Sequence, residues 1–311
     1  MRLNLRLIEC FRAVMTAGTV TAAAEMLHTS QPAVSRAIQQ LEAAVGLQLF
    51  DRVKGRLAPT AAALALFEEV GKTFLGLDHL SRVAANLKSF PQGSVSIVCA
   101  PAFSQGFIAD AAQRFLAQHG AVSLSIETQP SPTIAEWLAG QRFDLGLAAY
   151  PLAPPGTTAR LFAEPDEVCV LPAGHALASR DVVTPADLAG SDFVFLGGND
   201  PYRYRLDQVF EAAGVARRLV VETRNSATAC ALVERRAGIA IVNPFTAVDC
   251  AGRGLAVRRF AASLPFTAML VRARLRPSSP LVDRFVAALE ATRDDYLARA
   301  AHLTRAHIGN A

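Results

Sequence analysis

No stretch of the 311-residue chain is an apolar run long enough to cross a membrane, and the opening Met-Arg-Leu-Asn-Leu-Arg lacks the apolar core of a secretory signal. A cytoplasmic protein with no membrane role is expected. The five cysteines (Cys10, Cys99, Cys169, Cys230, Cys250) are odd in number, far apart and free of any Cys-x-x-Cys pair. That pattern argues against a disulfide scaffold or a zinc cluster and fits reduced, buried thiols. Gly-x-Ser-x-Gly, a Walker loop, His-Glu-x-x-His and the dinucleotide glycine pattern are all missing. The six histidines (His28, His79, His119, His175, His302, His307) are scattered without partners for a triad. These absences weigh against an enzyme on any α/β portion, and no metal or cofactor is expected. A free amino-acid-binding protein is disfavoured as well, since it would need a signal peptide and would have no use for residues 1–60.

Net charge is only +4, so the molecule is no polycation, but its distribution is informative. Residues 1–60 hold seven cations (Arg2, Arg6, Arg12, Arg36, Arg52, Lys54, Arg56) against four acids (Glu9, Glu25, Glu42, Asp51), an excess of three. That is a modest footprint for DNA, and an ordinary solvated surface could carry it too. Half the residues are hydrophobic, and the length suffices for two or three domains with real cores.

Residues 19–40 read as a helix-turn-helix. A first helix runs from about Val20 to Leu27, with Thr19 or Thr21 able to cap it and Ala22, Ala23 and Ala24 permitting close packing. His28, Thr29 and Ser30 form the turn. A second helix opens with Ser30 as N-cap and Pro32 in its first turn, where a missing N–H does no harm. Val34, Ile38 and Leu41 give it one buried face. Gln31, Ser35, Arg36, Gln39 and Gln40 make the other face, and their side chains suit the base edges of a major groove. Thr21 and Thr29 flank it. A hairpin follows: Leu49 to Val53, a Lys54-Gly55-Arg56 turn, and a return through Leu57 and Ala58. As a wing it would set Arg52, Lys54 and Arg56 against phosphates or the minor groove, adding affinity more than sequence choice.

From Thr60 a long helix is predicted, with apolar residues at Phe67, Val70, Phe74, Leu77, Leu80, Ala84 and Leu87. Such a stripe needs a partner, either its own domain or a second subunit; its position between a small basic domain and the Pro91-Gln92-Gly93 breaker favours a dimer arm. The remaining texture is β-α-β-α-β from Ser94 to Ala148, then a second α/β set, which predicts parallel sheets wrapped by helices. The tail after about Arg299 is read as weakly ordered.

Thr21-Ala22-Ala23-Ala24, Ser30-Gln31-Pro32-Ala33-Val34-Ser35, Leu41-Glu42, Gly46-Leu47 and Leu49-Phe50 resemble the N-terminal signature of LysR-type transcriptional regulators. Chain length and domain order are similar to that family as well. The resemblance implies a winged helix-turn-helix over residues 1–59, a linker helix and hinge over 60–90, and an effector domain over 91–311. The effector domain would have two α/β lobes like those of periplasmic binding proteins, the first about 93–164 with 265–300, the second about 165–264. It also implies an antiparallel linker-helix pair, a homodimer or homotetramer on double-stranded promoter DNA, and contact with RNA polymerase.

Open α/β sheets bind ligands at strand ends beside helix N-termini, where free N–H groups favour anions. Three such corners stand out: Ser104 and Gln105; Gln129, Ser131 and Thr133; and Thr223, Asn225 and Ser226. Each residue equally suits plain helix capping. Past one strand Asp200, Tyr202 and Arg203 gather, a set able to hold an ammonium and a carboxylate, or simply to start a solvent-exposed helix. Asp144-Leu145-Gly146-Leu147, Asp166-Glu167-Val168-Cys169 and Val242-Asn243-Pro244 resemble the branch of the family that activates the gene for diaminopimelate decarboxylase, and Asn243 is counted with the cleft. That resemblance implies a diaminopimelate effector, or a related amino acid or opine.

Overall fold

The computed structural model describes residues 4–53, 56–71, 74, 93–197, 201–276 and 279–305. The chain divides into two compact units, residues 1–85 and 86–311.

In the first unit α1 (Leu5–Ala17) starts where the Asn4 side chain accepts the Arg6 N–H, and ends at Gly18, whose φ of 74° turns the chain left-handed. The Thr19 hydroxyl, rather than Thr21, accepts the Ala22 N–H and opens α2 (Val20–Met26). The chain bends 118° between these helices, and no single helix among the described residues is long and apolar enough to cross a membrane. His28, at φ 49°, makes the tight turn into α3 (Gln31–Val45). Ser30 holds the N-cap position as expected, but its hydroxyl makes no capping hydrogen bond. Ala23 and Ala24 are buried with Phe11, Val34, Ile38 and Leu41, so the small side chains do let the helices close on one another.

The hairpin forms as β1 (Phe50–Val53) against β2 (Arg56–Pro59), antiparallel, with Val53 opposite Arg56. Lys54 lies outside the described residues, as do the side chains of Arg52 and Arg56. Helix α4, residues 61–71, opens with the Thr60 hydroxyl accepting the Ala63 N–H. The first part of the stripe expected for a dimer arm packs within its own unit. Phe67 meets Phe11 at 6.4 Å between ring centroids, Val70 and Phe74 are buried, and the Arg12 guanidinium stacks on Phe74 at 3.9 Å. Phe67, Val70 and Phe74 share one apolar cluster with Phe11 and Val14 of α1. Leu77, Leu80 and Leu87 lie outside the described residues. Val70→Ala is therefore expected to lower the melting temperature of the N-terminal unit by the equivalent of about 1.5 kcal/mol, independently of protein concentration. A purely interchain residue would give a concentration-dependent loss instead, which a dilution series would reveal.

In the second unit β3 (Ser94–Cys99), α5 (Phe107–Leu116), β4 (Ser123–Thr128), α6 (Ser131–Ala139) and β5 (Leu145–Ala148) follow the predicted alternation. Strand β3 runs parallel to β4 and β5. The sheet is not wholly parallel, however. β6 (Thr157–Ala163) and β13 (Ala268–Ala273) complete the order β4-β3-β5-β13-β6, with β13 antiparallel to both neighbours. The reason is topological: β13 returns from the second lobe and enters the sheet from the opposite end.

The second lobe holds β7 (Val168–Pro172), β8 (Val182–Val183), β11 (Ala240–Val242) and β12 (Leu255–Phe260) in the order β11-β7-β12-β8, mostly antiparallel. The strands β9 (Asp192–Leu196) and β10 (Arg218–Thr223) form a separate parallel pair. Its helices are α7 (Pro201–Ala212), α8 (Ser226–Glu234) and α9 (Pro244–Cys250). Strands β6, β8 and β12 and helix α9 had no counterpart in the sequence reading. The last helix, α10 (Pro280–Leu303), is longer than predicted: it runs through Arg299 to Leu303, and Thr304 is buried, while residues 306–311 of the tail expected to be weakly ordered lie outside the described residues. Phe285 packs on Phe115 of α5 at 5.2 Å and holds α10 to the first lobe.

Phe245 and Val248 of α9 belong to the first lobe's core, while Ala247 and Cys250 belong to the second's, so this helix is shared. All five cysteines are free and buried. Burial pushes the Cys99 thiol up to about 11 and raises that of Cys169 further. Both should resist alkylation at pH 8 until the protein is unfolded, as thiol titration with and without guanidinium would show.

Candidate nucleic-acid interface and effector site

Helix α3 sorts its residues by period. Val34, Ala37, Ile38 and Leu41 are buried, whereas Gln31, Pro32, Arg36, Gln39 and Gln40 are exposed and Ser35 is half-buried. Positions 32, 35, 36, 39 and 40 recur three and four apart and so share one outward face. Thr21 stands exposed beside it and Thr29 half-buried. The Arg36 Nε folds back to the Pro32 carbonyl at 3.3 Å, a weak exposed contact that a base or phosphate could replace. The Ser30 hydroxyl, unused as a cap, is exposed at the helix N-terminus, where an anion is favoured.

Glu42 was read only as part of a motif, and the structure gives it a task. Its Oε1 accepts the N–H of Leu49 at 2.7 Å and of Phe50 at 3.1 Å, so the carboxylate ties the first wing strand to the recognition helix. Phe11 reinforces this, 5.8 Å from the ring of Phe50. Wing and helix are thereby held in one rigid frame. A carboxylate seven and eight residues before the amides it caps follows no period or motif by which sequence could have assigned it.

In the second unit the corners are occupied by intrachain hydrogen bonds, which favours capping as their first role. The Ser104 hydroxyl donates to the Pro101 carbonyl at 2.9 Å. Ser131 is buried and its hydroxyl accepts the Ala149 N–H at 3.2 Å. Thr223 accepts the Asn225 N–H at 3.2 Å, and Asn225 accepts the Ala227 N–H at 2.8 Å as the cap of α8. Asn243, also buried, caps α9 by accepting the Thr246 N–H at 2.9 Å, and its Nδ2 donates to Ser226 Oγ at 3.2 Å. Gln105 is exposed and Gln129 and Thr133 are half-buried. Asp200 lies outside the described residues.

These corners converge nonetheless. Tyr202 donates to the Ala149 carbonyl at 2.8 Å and accepts the Thr267 N–H at 2.9 Å, so Ser131 and Tyr202 meet at one residue. Thr246, unread in the sequence, donates to the Ala102 carbonyl at 3.4 Å, bringing α9 and Ser226 to the corner of Ser104. The Asn-Pro pair at 243 and 244 was the signal available for α9: an N-cap followed by proline at the first helical position. Arg203, expected beside a ligand carboxylate, is paired within the chain. Its Nε donates to Asp207 at 2.7 Å and its guanidinium lies over Phe195 at 4.2 Å, within a cluster shared by Arg217, whose Nη2 bonds Asp207 at 2.6 Å. Asp207 lies four residues on along the same helix, within reach of the guanidinium.

A rigid winged helix-turn-helix with a polar outward recognition face, on a chain whose second unit is two α/β lobes with strand-end corners at their junction, defines a ligand-responsive DNA-binding regulator. Residues 5–64 match the family described as "Bacterial regulatory helix-turn-helix protein, lysR family", and residues 88–294 match "LysR substrate binding domain". The chain belongs to the LysR family of transcriptional regulators, and it is a regulator, not an enzyme. It is 50% identical over 288 residues to the Transcriptional activator protein LysR of Escherichia coli (strain K12), covering 93% of each chain. It is 34% identical to the Octopine catabolism/uptake operon regulatory protein OccR of Rhizobium meliloti, over 96% of this chain and 98% of that one. In fold it is similar to full-length CbnR, solved as a complex with its target DNA, at a TM-score of 0.71 and 21% identity, covering 93% of this chain and 100% of that one.

Proposed function

We propose that the chain activates a lysine-biosynthesis gene, that for diaminopimelate decarboxylase, with diaminopimelate as effector and lysine opposing it. The observation that carries this is the 50% identity to an activator over 93% of both chains. The chemistry is compatible: diaminopimelate has two amino-carboxylate ends, and the corners offer helix N-termini for carboxylates with Ser104, Ser131, Tyr202, Ser226 and Asn243 around them. Asp200 would hold an ammonium. A cytoplasmic homodimer, assembling to a homotetramer through the second lobes, sets its recognition helices in successive major grooves. Effector in the cleft changes lobe packing, DNA bend and contact with RNA polymerase, which requires different affinity for the two states. The test is migration and footprint of the promoter complex of the full chain, titrated with meso-diaminopimelate and then lysine. A saturable shift by the first, reversed by the second, is the expected result; no response to either sinks the effector assignment.

A second reading, an opine or amino-acid regulator, is favoured by the 34% identity to OccR, and octopine is the third ligand to titrate. Base reading is tested separately. Arg36→Ala should lose about 1–3 kcal/mol of discrimination between the promoter and random duplex. Equal weakening on both would remove Arg36 from the reading face. Lys54→Ala should weaken every duplex alike and lower the salt slope by about one.

A further inference from the structure

We propose that α9 is the element that transmits cleft occupancy to the outer α5–α10 face, and that Asp249 is the latch at its far end. The proposal rests on the reading of the strand-end corners as the effector cleft. At the N-terminal end of α9, Asn243 and Thr246 bond Ser226 and the Ala102 carbonyl, both at those corners. At the other end the Asp249 carboxylate leaves the second lobe and enters the first. Its Oδ2 accepts the Gly106 N–H, just ahead of α5, at 2.8 Å, and its Oδ1 accepts the Tyr296 hydroxyl of α10 at 2.6 Å. An acid from one lobe thus caps a helix of the other, where the partial positive charge of the helix N-terminus holds it.

Two observations make this a device rather than a chance contact. First, the approach depends on Gly106: a Cβ there would stand 2.3 Å from Asp249 Oδ1 and 2.8 Å from the Tyr296 oxygen. Second, the helix between the two ends cannot yield by itself. Every residue from Pro244 to Val248 is buried, and Phe245 meets Phe103 and Phe107 edge-on and stacks on Tyr296, at 5.1, 5.2 and 6.3 Å between ring centroids. A short helix clamped in two close-packed cores moves as a body, because interiors transmit displacement instead of absorbing it. The phenol also lies 3.0 Å from Asp110 Oδ2, which is 3.6 Å from Arg299, so a released latch would be felt by charged groups on the outer face.

The test uses the full-length chain and hydrogen–deuterium exchange, with no effector added, so its outcome does not depend on diaminopimelate. Asp249→Ala calibrates the latch and should accelerate exchange at the Gly106 amide about tenfold, the loss of a hydrogen bond to a charged acceptor. Asn243→Ala, at the opposite end of α9, removes a cap and should accelerate the same amide roughly fivefold. Ser226→Ala breaks the Asn243–Ser226 bond from the other side without touching α9, and should act in the same direction if Asn243→Ala fails to fold. Transmission is overturned if both cleft-end changes speed exchange only within residues 226–250 and leave Gly106 as in the parent. It is overturned equally if Asp249→Ala leaves the Gly106 amide protected.

Discussion

Phe107→Ala is expected to remove about 3–5 kcal/mol of stability from the effector unit, the cost of emptying a fully buried aromatic site. Phe107 is wholly inaccessible to solvent and meets Phe103, Phe162, Phe245 and Tyr296 at 5.2 to 6.1 Å between ring centroids. These rings come from α5, α9, α10, β6 and the turn after β3, so one side chain holds together elements from four separate stretches of chain. Edge-to-face geometry dominates the group and adds to area burial. The loss should be confined to the second unit. Calorimetry should show its transition lowered while specific duplex binding by the N-terminal unit persists at low temperature. Uniform loss of both would show that the units unfold as one.

Glu42→Ala should cost about 3 kcal/mol in the first unit and weaken all duplexes, because two backbone N–H groups lose a charged acceptor together. Leu49, one of the two donors, is fully buried, so water cannot readily replace the carboxylate at that position. The wing strand would then lose its fixed distance from α3, and affinity carried by the wing would fall with no change in which bases are preferred. Glu42→Gln keeps a side-chain oxygen at the same reach and should retain most of the stability. A gel-shift series of the three proteins against promoter and random duplex checks both parts. If Glu42→Ala leaves affinity intact, the wing is placed by Phe11 and Phe50 alone.

The two variants separate what was readable from what was not. The recognition helix was legible because its chemistry is local. A turn, a proline at its start and a 3.6-residue apolar period determine both the helix and its outward face. Strands β3, β4 and β5 of the first lobe were legible for a similar reason, since β3 is a short apolar run bounded by breakers. The linker stripe shows the limit of period: Phe67, Val70 and Phe74 do share a face, but periodicity says only that a face is buried, not against what. Arg203 shows another, because an arginine beside a strand end reads as a ligand contact, and spacing alone does not say that Asp207 pairs with it.

From the sequence alone came the helix-turn-helix, the hairpin, the outward set Gln31, Arg36, Gln39 and Gln40, the α/β alternation and the family. The first three rest on neighbours within about two helical turns, over which side-chain spacing fixes geometry, whereas the family rests on motifs spread along the chain together with its length and domain order. Only the tertiary structure decided that β13 runs antiparallel in the first sheet, that Glu42 anchors the wing, and that Asp249 reaches Gly106 and Tyr296. The Asp249 contacts join residues 143 and 47 positions apart, and no local preference ranks one distant partner above another. Burial does: a carboxylate drawn into a packed junction must find donors, and the fold determines which donors are there.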